Sequence, residues 1–168
     1  ERDAAAATNI AAGHEVVERC DGSRPARPYV DVDAPTDATA EELDTIAEAF
    51  AAEAAAWGAP VDKLRPVVNS CDREKKRSRH LIADGWAAPD GLAVQQFADG
   101  VKTRLADTRA AEWVDRSGGR LSYGLRVAGC PKAGDASATL TGPLTWLQTE
   151  GEPVVTPPDA GPTTKPPR

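Results

Sequence analysis

Residues Thr39–Gly58, TAEELDTIAEAFAAEAAAWG, constrain the fold more than any other stretch of this chain. Leu43, Ile46, Ala47, Phe50, Ala54 and Trp57 recur at three- and four-residue steps, which places them on one stripe of an α-helix. Thr39 suits the N-cap, and Glu42 three residues later completes a capping box. Gly58 supplies a left-handed stop, and Pro60 prevents the helix from resuming. A helix with so defined an apolar face needs a surface to pack on. The other elements are read by how they could complete its core.

The chain has 168 residues, 40% of them hydrophobic, enough for one domain with a core of its own. With four Trp, two Tyr and two Phe, that core must be mainly Ala, Val and Leu. A net charge of −6 and a pI near 5.0 argue against a surface built wholly for nucleic acid. No apolar run approaches the ~20 residues of a membrane span, and no signal peptide is present. The chain opens at Glu1 and contains no methionine. Either proteolytic removal of a leader or anchor, or a cloning boundary, leaves such a start; the former implies export.

Along the chain, Ala6, Ile10, His14 and Val17 share a stripe, which predicts a helix over 3–20 ending at Cys20. Tyr29, Val30 and Val32 mark a short strand over 28–32. A second helix is predicted over 70–83, and another from Pro89 to Leu105 carrying Val94, Phe97 and Val101. After Ser117-Gly118-Gly119 the period falls to two. Leu121, Tyr123, Leu125 and Val127 alternate with Arg120, Ser122, Gly124 and Arg126, predicting a strand over 120–128. Leu140, Leu144 and Trp146 predict a second strand over 138–148, so the two read as a hairpin. The fold class is therefore α+β, with three or four helices on a small antiparallel sheet made by that hairpin and the 28–32 strand. Residues 1–150 form the single domain, and the proline-rich 151–168 reads as a tail or spacer.

Motifs for chemistry are sparse. GHEVVER resembles a zinc-protease helix at His14-Glu15, but Glu18 stands where the second histidine is required. Cys71 and His80, on one predicted helix, would lie about 13 Å apart along its axis and could not act together. No phosphate-binding glycine loop or dinucleotide fingerprint occurs. These absences predict no metal, no cofactor and no catalytic residue.

The feature with contrast is the basic run Arg73–His80, REKKRSRH, whose helical spacing gathers Arg73, Lys76, Arg77 and His80 on one face. The 39–57 helix carries five acids and no basic residue, so the two helices are expected to pair with each other or with a partner protein. No aromatic residue is interleaved with the run to stack on bases, which disfavours nucleic acid. Of the three cysteines, Cys71 and Cys130 lie at the ends of core elements and are the expected disulfide, leaving Cys20 as a thiol.

Together these readings give a non-catalytic, extracytoplasmic domain, secreted or envelope-attached, that binds another protein or an envelope polymer. The alternative is a cytosolic nucleic-acid-associated or assembly protein acting through the basic helix 73–80. A third reading is a small hydrolase built from scattered acidic residues.

Overall fold

The structure is a computed structural model in which residues 1–115 and 117–158 are described. Its elements run α1 (Arg2–Ala11), β1 (Val17–Asp21), β2 (Tyr29–Ala34), α2 (Ala40–Trp57), β3 (Val67–Asp72), β4 (Arg77–Ile82), α3 (Gly91–Arg104), β5 (Val114–Asp115) and β6 (Ser122–Arg126). Short 3-10 turns occupy Val61–Lys63 and Arg109–Trp113. Four strands form an antiparallel sheet in the order β3-β4-β2-β5, and β1 pairs with β6 in a second antiparallel sheet. The α+β class holds, with three α-helices among the described residues. No described helix is long and apolar enough to cross a membrane.

Helix α2 forms as its sequence dictates. The Thr39 hydroxyl accepts from the Glu42 amide at 3.1 Å, and the Glu42 carboxylate accepts from the Thr39 amide at 2.8 Å. Gly58 closes the helix at φ 81°, a conformation a side chain would disfavour. Ile46, Phe50, Ala54 and Trp57 are buried as their spacing predicts, with Leu43 and Ala47 packed partly against them. Helix α3 joins α2 through rings: Phe97 meets Phe50 edge-on at 4.8 Å and Trp57 at 5.4 Å, and Trp86 meets it at 5.6 Å. Glu53 accepts from both Trp57 Nε1 (2.9 Å) and Arg104 Nε (2.7 Å), tying the two helices together.

Strand parity then divides the four-stranded sheet. Val30 and Val32 of β2, Leu81 of β4 and Val114 of β5 face the helices and are buried. On the opposite face the character changes along the strands. Tyr29 and Ile82 form an apolar end, with Tyr123 of β6 stacked on Tyr29 at 6.2 Å. Beyond them the same face turns polar, and this determines where the site lies.

Four expectations are corrected. The helix predicted over 3–20 stops at Ala11, and 17–21 is a strand: Val17 and Arg19 alternate with Glu18 and Cys20, and the paired β6 imposes period two. The helix predicted over 70–83 is instead the hairpin of β3 and β4, closed by the Arg73 amide donating to the Lys76 carbonyl at 2.9 Å. Strand 120–128 exists as β6, but its partner is β1. Segment 138–148 forms no strand; it meets the edge of β3 through a single bridge, Thr141 to Ser70, before Pro143, which has no amide proton for a ladder. Lastly, Cys71, Cys130 and Cys20 are all buried and free, so the Cys71–Cys130 bridge is not formed. Cys71 packs with Ala138 and Leu140, while Cys130 donates to the Val127 carbonyl at 2.9 Å. Thiol titration of denatured, unreduced protein is expected to count three thiols; a count of one would contradict this arrangement.

The last described residues lie against the body. Arg27 grips the Glu152 carboxylate with both side chains largely buried, and Val154 bridges Ala87 in parallel fashion. The Ala87 amide donates to Pro153, and the Val155 amide donates to Ala87. The rest of the proline-rich segment, 159–168, lies outside the described residues. Truncation after Glu150 is expected to leave a cooperative fold but to cost about 3 kcal/mol, because it strands Arg27 as a buried charge. Chemical denaturation checks this, and an unchanged midpoint would contradict it.

Candidate functional site

The polar end of the sheet builds a cleft from register alone. Asp31 of β2 faces Asp115 of β5 on one side and His80 of β4 on the other, and His80 in turn faces Asn69 of β3. Opposed residues of antiparallel strands share a face, so Asp115, Asp31, His80 and Asn69 make one row across four strands. Two residues along, Asp33, Ser78 and Cys71 make a parallel row on the same face. Val30 and Val32 bury the other face of β2, which turns Asp31 and Asp33 toward the cleft. Gly124, Leu125 and Arg126 of β6 form a wall, and Arg73, Lys76 and Lys132 line the cleft with Glu15. Its volume is about 260 Å³.

The two aspartates of β2 sit in opposite electrostatic states. Burial pushes Asp31 up to about 6, and Asp33 and Asp115 add to the effect while Lys76 and Arg126 oppose it. Asp33 is also pushed up by burial, but hydrogen bonds from Lys76 and Ser78 outweigh this and hold it below the ordinary carboxylate range. Lys76 Nζ lies 2.7 Å from Asp33 Oδ2, and Ser78 Oγ donates to Oδ1 at 2.9 Å. Two neighbouring carboxylates with divergent affinities for a proton are a usual mark of a working site.

His80 completes the floor. It is 6% exposed, and its Nε2 lies 3.6 Å from Asp31 Oδ1. Burial, reinforced by the Arg126 charge, pulls it down to about 4, so the ring is neutral near pH 7. Its Nδ1 is buried without a hydrogen-bond partner. Orphaned buried nitrogens are uncommon in folded proteins, and this one belongs to a residue that lines a cleft. The aspartates do not amount to a closed cation cage: among the described residues no three His, Cys, Asp or Glu side chains are gathered tightly enough to hold a metal unaided.

Of the residues singled out in the basic run, the structure brings Arg73, Lys76 and His80 to the cleft and turns Arg77 away. Arg77 donates to the Ala38 carbonyl at 2.9 Å on the helix side of the sheet. Arg73 reaches Asp135 at 3.1 Å across the open end. The pairing expected between this run and the acids of α2 does not occur among the described ion pairs; Glu53 takes Arg104 and Glu42 takes Arg109. His14 is exposed, with Nδ1 3.3 Å from Asn9 Oδ1, and it does not line the cleft. Cys71 and His80, which a helix would have kept apart, end up on one sheet face.

Asp31, Asp33, Ser78, Asp115 and Arg126 were not legible as site residues from spacing in the chain. The signal for three of them was nevertheless present. Asp31 and Asp33 alternate with Val30 and Val32, which on a strand means two carboxylates on one face, and Ser78 alternates with Arg77 and Arg79 in the same way. A comparison with protein-family models gives no match, and a comparison with curated proteins gives none.

Proposed function

We propose that the protein is a divalent-cation-dependent enzyme of nucleotidyl or phosphoryl transfer, with a nucleoside triphosphate as the substrate held in the cleft. The observation that carries this is the placement of Asp31 and Asp33 in a cleft that also presents Lys76, Ser78, His80 and Arg126, with Asp115 on the same sheet face beside Asp31. Acids alone attract a cation, and bases alone attract an anion. A cleft holding both suits a ligand that brings both charges, as a Mg²⁺ or Mn²⁺ polyphosphate does. Mg²⁺ is commonly held by one or two carboxylates, with substrate phosphates and waters completing its shell, so a closed protein cage is not required.

The residues then divide the work. Asp31 and Asp33 would hold the cation, and Lys76, which now sits on Asp33, would be placed to meet a phosphate oxygen. Asp31 would have to be ionised to act as a ligand. His80 and Arg126 would supply further donors to the phosphates, while Ser78 keeps its hydrogen bond to Asp33. A cation held there would supply charge stabilisation for a phosphoryl or nucleotidyl transfer. Arg73 and Lys132 at the rim and Lys75 in the adjoining hollow add basic groups, interspersed with Glu74 and with Asp135, which pairs with Arg73. A nucleic-acid strand carrying the attacking hydroxyl fits that surface by charge.

This reading departs from the expectation of a non-catalytic extracytoplasmic binder, which rested on the lack of any catalytic constellation in the linear sequence. It draws together the nucleic-acid and hydrolase alternatives. A nucleoside triphosphate substrate would go with the cytoplasmic alternative for localisation. The test is incubation with α-labelled nucleoside triphosphates, Mg²⁺ or Mn²⁺, and single-stranded DNA with or without a primer. Metal-dependent pyrophosphate release with label entering polynucleotide supports transfer to a strand; release without incorporation supports water as the acceptor. No turnover of any of the four nucleotides with either metal would overturn the proposal.

A further inference from the structure

Beside the acids of the cleft, the sheet places two buried polar atoms that have no partner, on residues directly opposite each other. Asn69 of β3 is the register partner of His80 of β4, and the two are 1% and 6% exposed. Neither Asn69 Oδ1 nor His80 Nδ1 has a hydrogen-bond partner. Directly opposed side chains on one face stand about 4.5–5.5 Å apart at Cβ, within reach of an amide–imidazole hydrogen bond. Gly142 presses on the amide from outside: a Cβ there would come 2.3 Å from Asn69 Oδ1, and only a residue without one leaves room for it.

We propose that Asn69 is the positioning residue for His80, its amide NH₂ donating to Nδ1 so that the ring proton is held on Nε2, facing Asp31 and the cleft. A neutral imidazole carries one proton, and the nitrogen that keeps it is set by the hydrogen bond the other makes. For Nε2 to donate toward a carboxylate or a phosphate oxygen, Nδ1 must accept, and it therefore needs a donor. The Asn69 amide is the group that the register puts opposite it. Which end of an amide is oxygen is an assignment made from its hydrogen bonds, and here Oδ1 makes none. The structure shows no hydrogen bond between the two side chains, and turning the amide NH₂ toward Nδ1 costs none at Oδ1. Among the neighbouring charges, Asp31, which faces Nε2, and Asp33 favour the same tautomer, and the cations Lys76 and Arg126 oppose it.

The consequence for turnover rests on the phosphate-binding reading above, but the tautomer does not, so the two can fail separately. With only two histidines in the chain, ¹⁵N ring shifts of the full-length protein are assignable through His14→Gln. The wild type is expected to show His80 with Nε2 protonated and Nδ1 bare. Asn69→Asp, which offers only acceptors, is expected to move the proton to Nδ1, and Asn69→Leu to give mixed tautomers. Asn69→Thr, which keeps a donor, is expected to retain the wild-type signature. Should Asn69→Leu fail to fold, the Asp and Thr variants decide the matter between them. Identical His80 shifts in the wild type and the Asp variant would overturn the inference, as would a wild-type ring protonated on Nδ1. If turnover is present, Asn69→Leu is expected to lower it roughly 10- to 100-fold, the range typical of groups that orient a working histidine.

Discussion

Asp31→Asn is expected to abolish turnover and, at the same time, to make the protein more stable above pH 6. The first effect follows from the loss of a cation ligand. Metal stabilisation of developing charge contributes several kcal/mol, so the rate should fall about a thousandfold or more. The second effect follows from linkage. Asp31 has its proton affinity raised from 3.8 unfolded to about 6 folded, so the native state binds the proton more tightly. Its contribution to stability is therefore fully present below pH 4 and is lost as pH rises through 6. The asparagine variant escapes that loss. The side chain is 37% exposed, so screening reduces the gain to about 1 kcal/mol, far less than the bare shift implies. Denaturant midpoints across pH 4–8 check the sign: the variant and the wild type should coincide at the acid end and separate above it. Separation in the opposite direction would refute the burial argument for Asp31.

Phe50→Ala is expected to have the largest effect on stability. Phe50 is fully buried at the centre of the α2 stripe, against Phe97. Removing a ring from such a site costs about 3–5 kcal/mol through lost burial and the cavity left behind. Glu48→Ala, on the exposed face of the same helix, should change stability by less than ~0.5 kcal/mol. Equal midpoints for the two would place the helix in the wrong register. Because α2 lies on the far face of the sheet from the cleft, the Phe50 variant should keep its nucleotide affinity while it remains folded.

The helix core was legible because its evidence was local. A cap, a stop and a 3.6-residue period all lie within Thr39–Gly58, and the chain from Gly91 to Leu105 shows the same period. The hairpin of β3 and β4 was misread because Arg73, Lys76, Arg77 and His80 fit a helical spacing as well as they fit a charged strand with a tight connection. What decides between them is the partner. Once β4 lies between β2 and β3, Ser78, His80 and Ile82 must share one face, and the helical face of the basic run ceases to exist. The site was hidden for the same reason. Asp31 and Asp115 are separated by most of the domain in sequence and become opposed only when β5 adds to the edge of β2. Charge totals hid it too, since a chain of net charge −6 can still carry basic groups around a half-buried acidic floor.

The central claim, that the sheet-face aspartates hold a cation for a polyphosphate, is tested most directly by Mn²⁺ binding at neutral pH. Electron paramagnetic resonance can follow free Mn²⁺ in the presence of a non-hydrolysable nucleoside triphosphate analogue. The wild-type protein is expected to bind Mn²⁺ together with the analogue, more tightly than either binds alone, and Asp31→Asn and Asp33→Asn are each expected to remove that mutual enhancement. Wild-type and variant proteins that bind Mn²⁺ and analogue equally, or wild-type protein that binds neither, would contradict it.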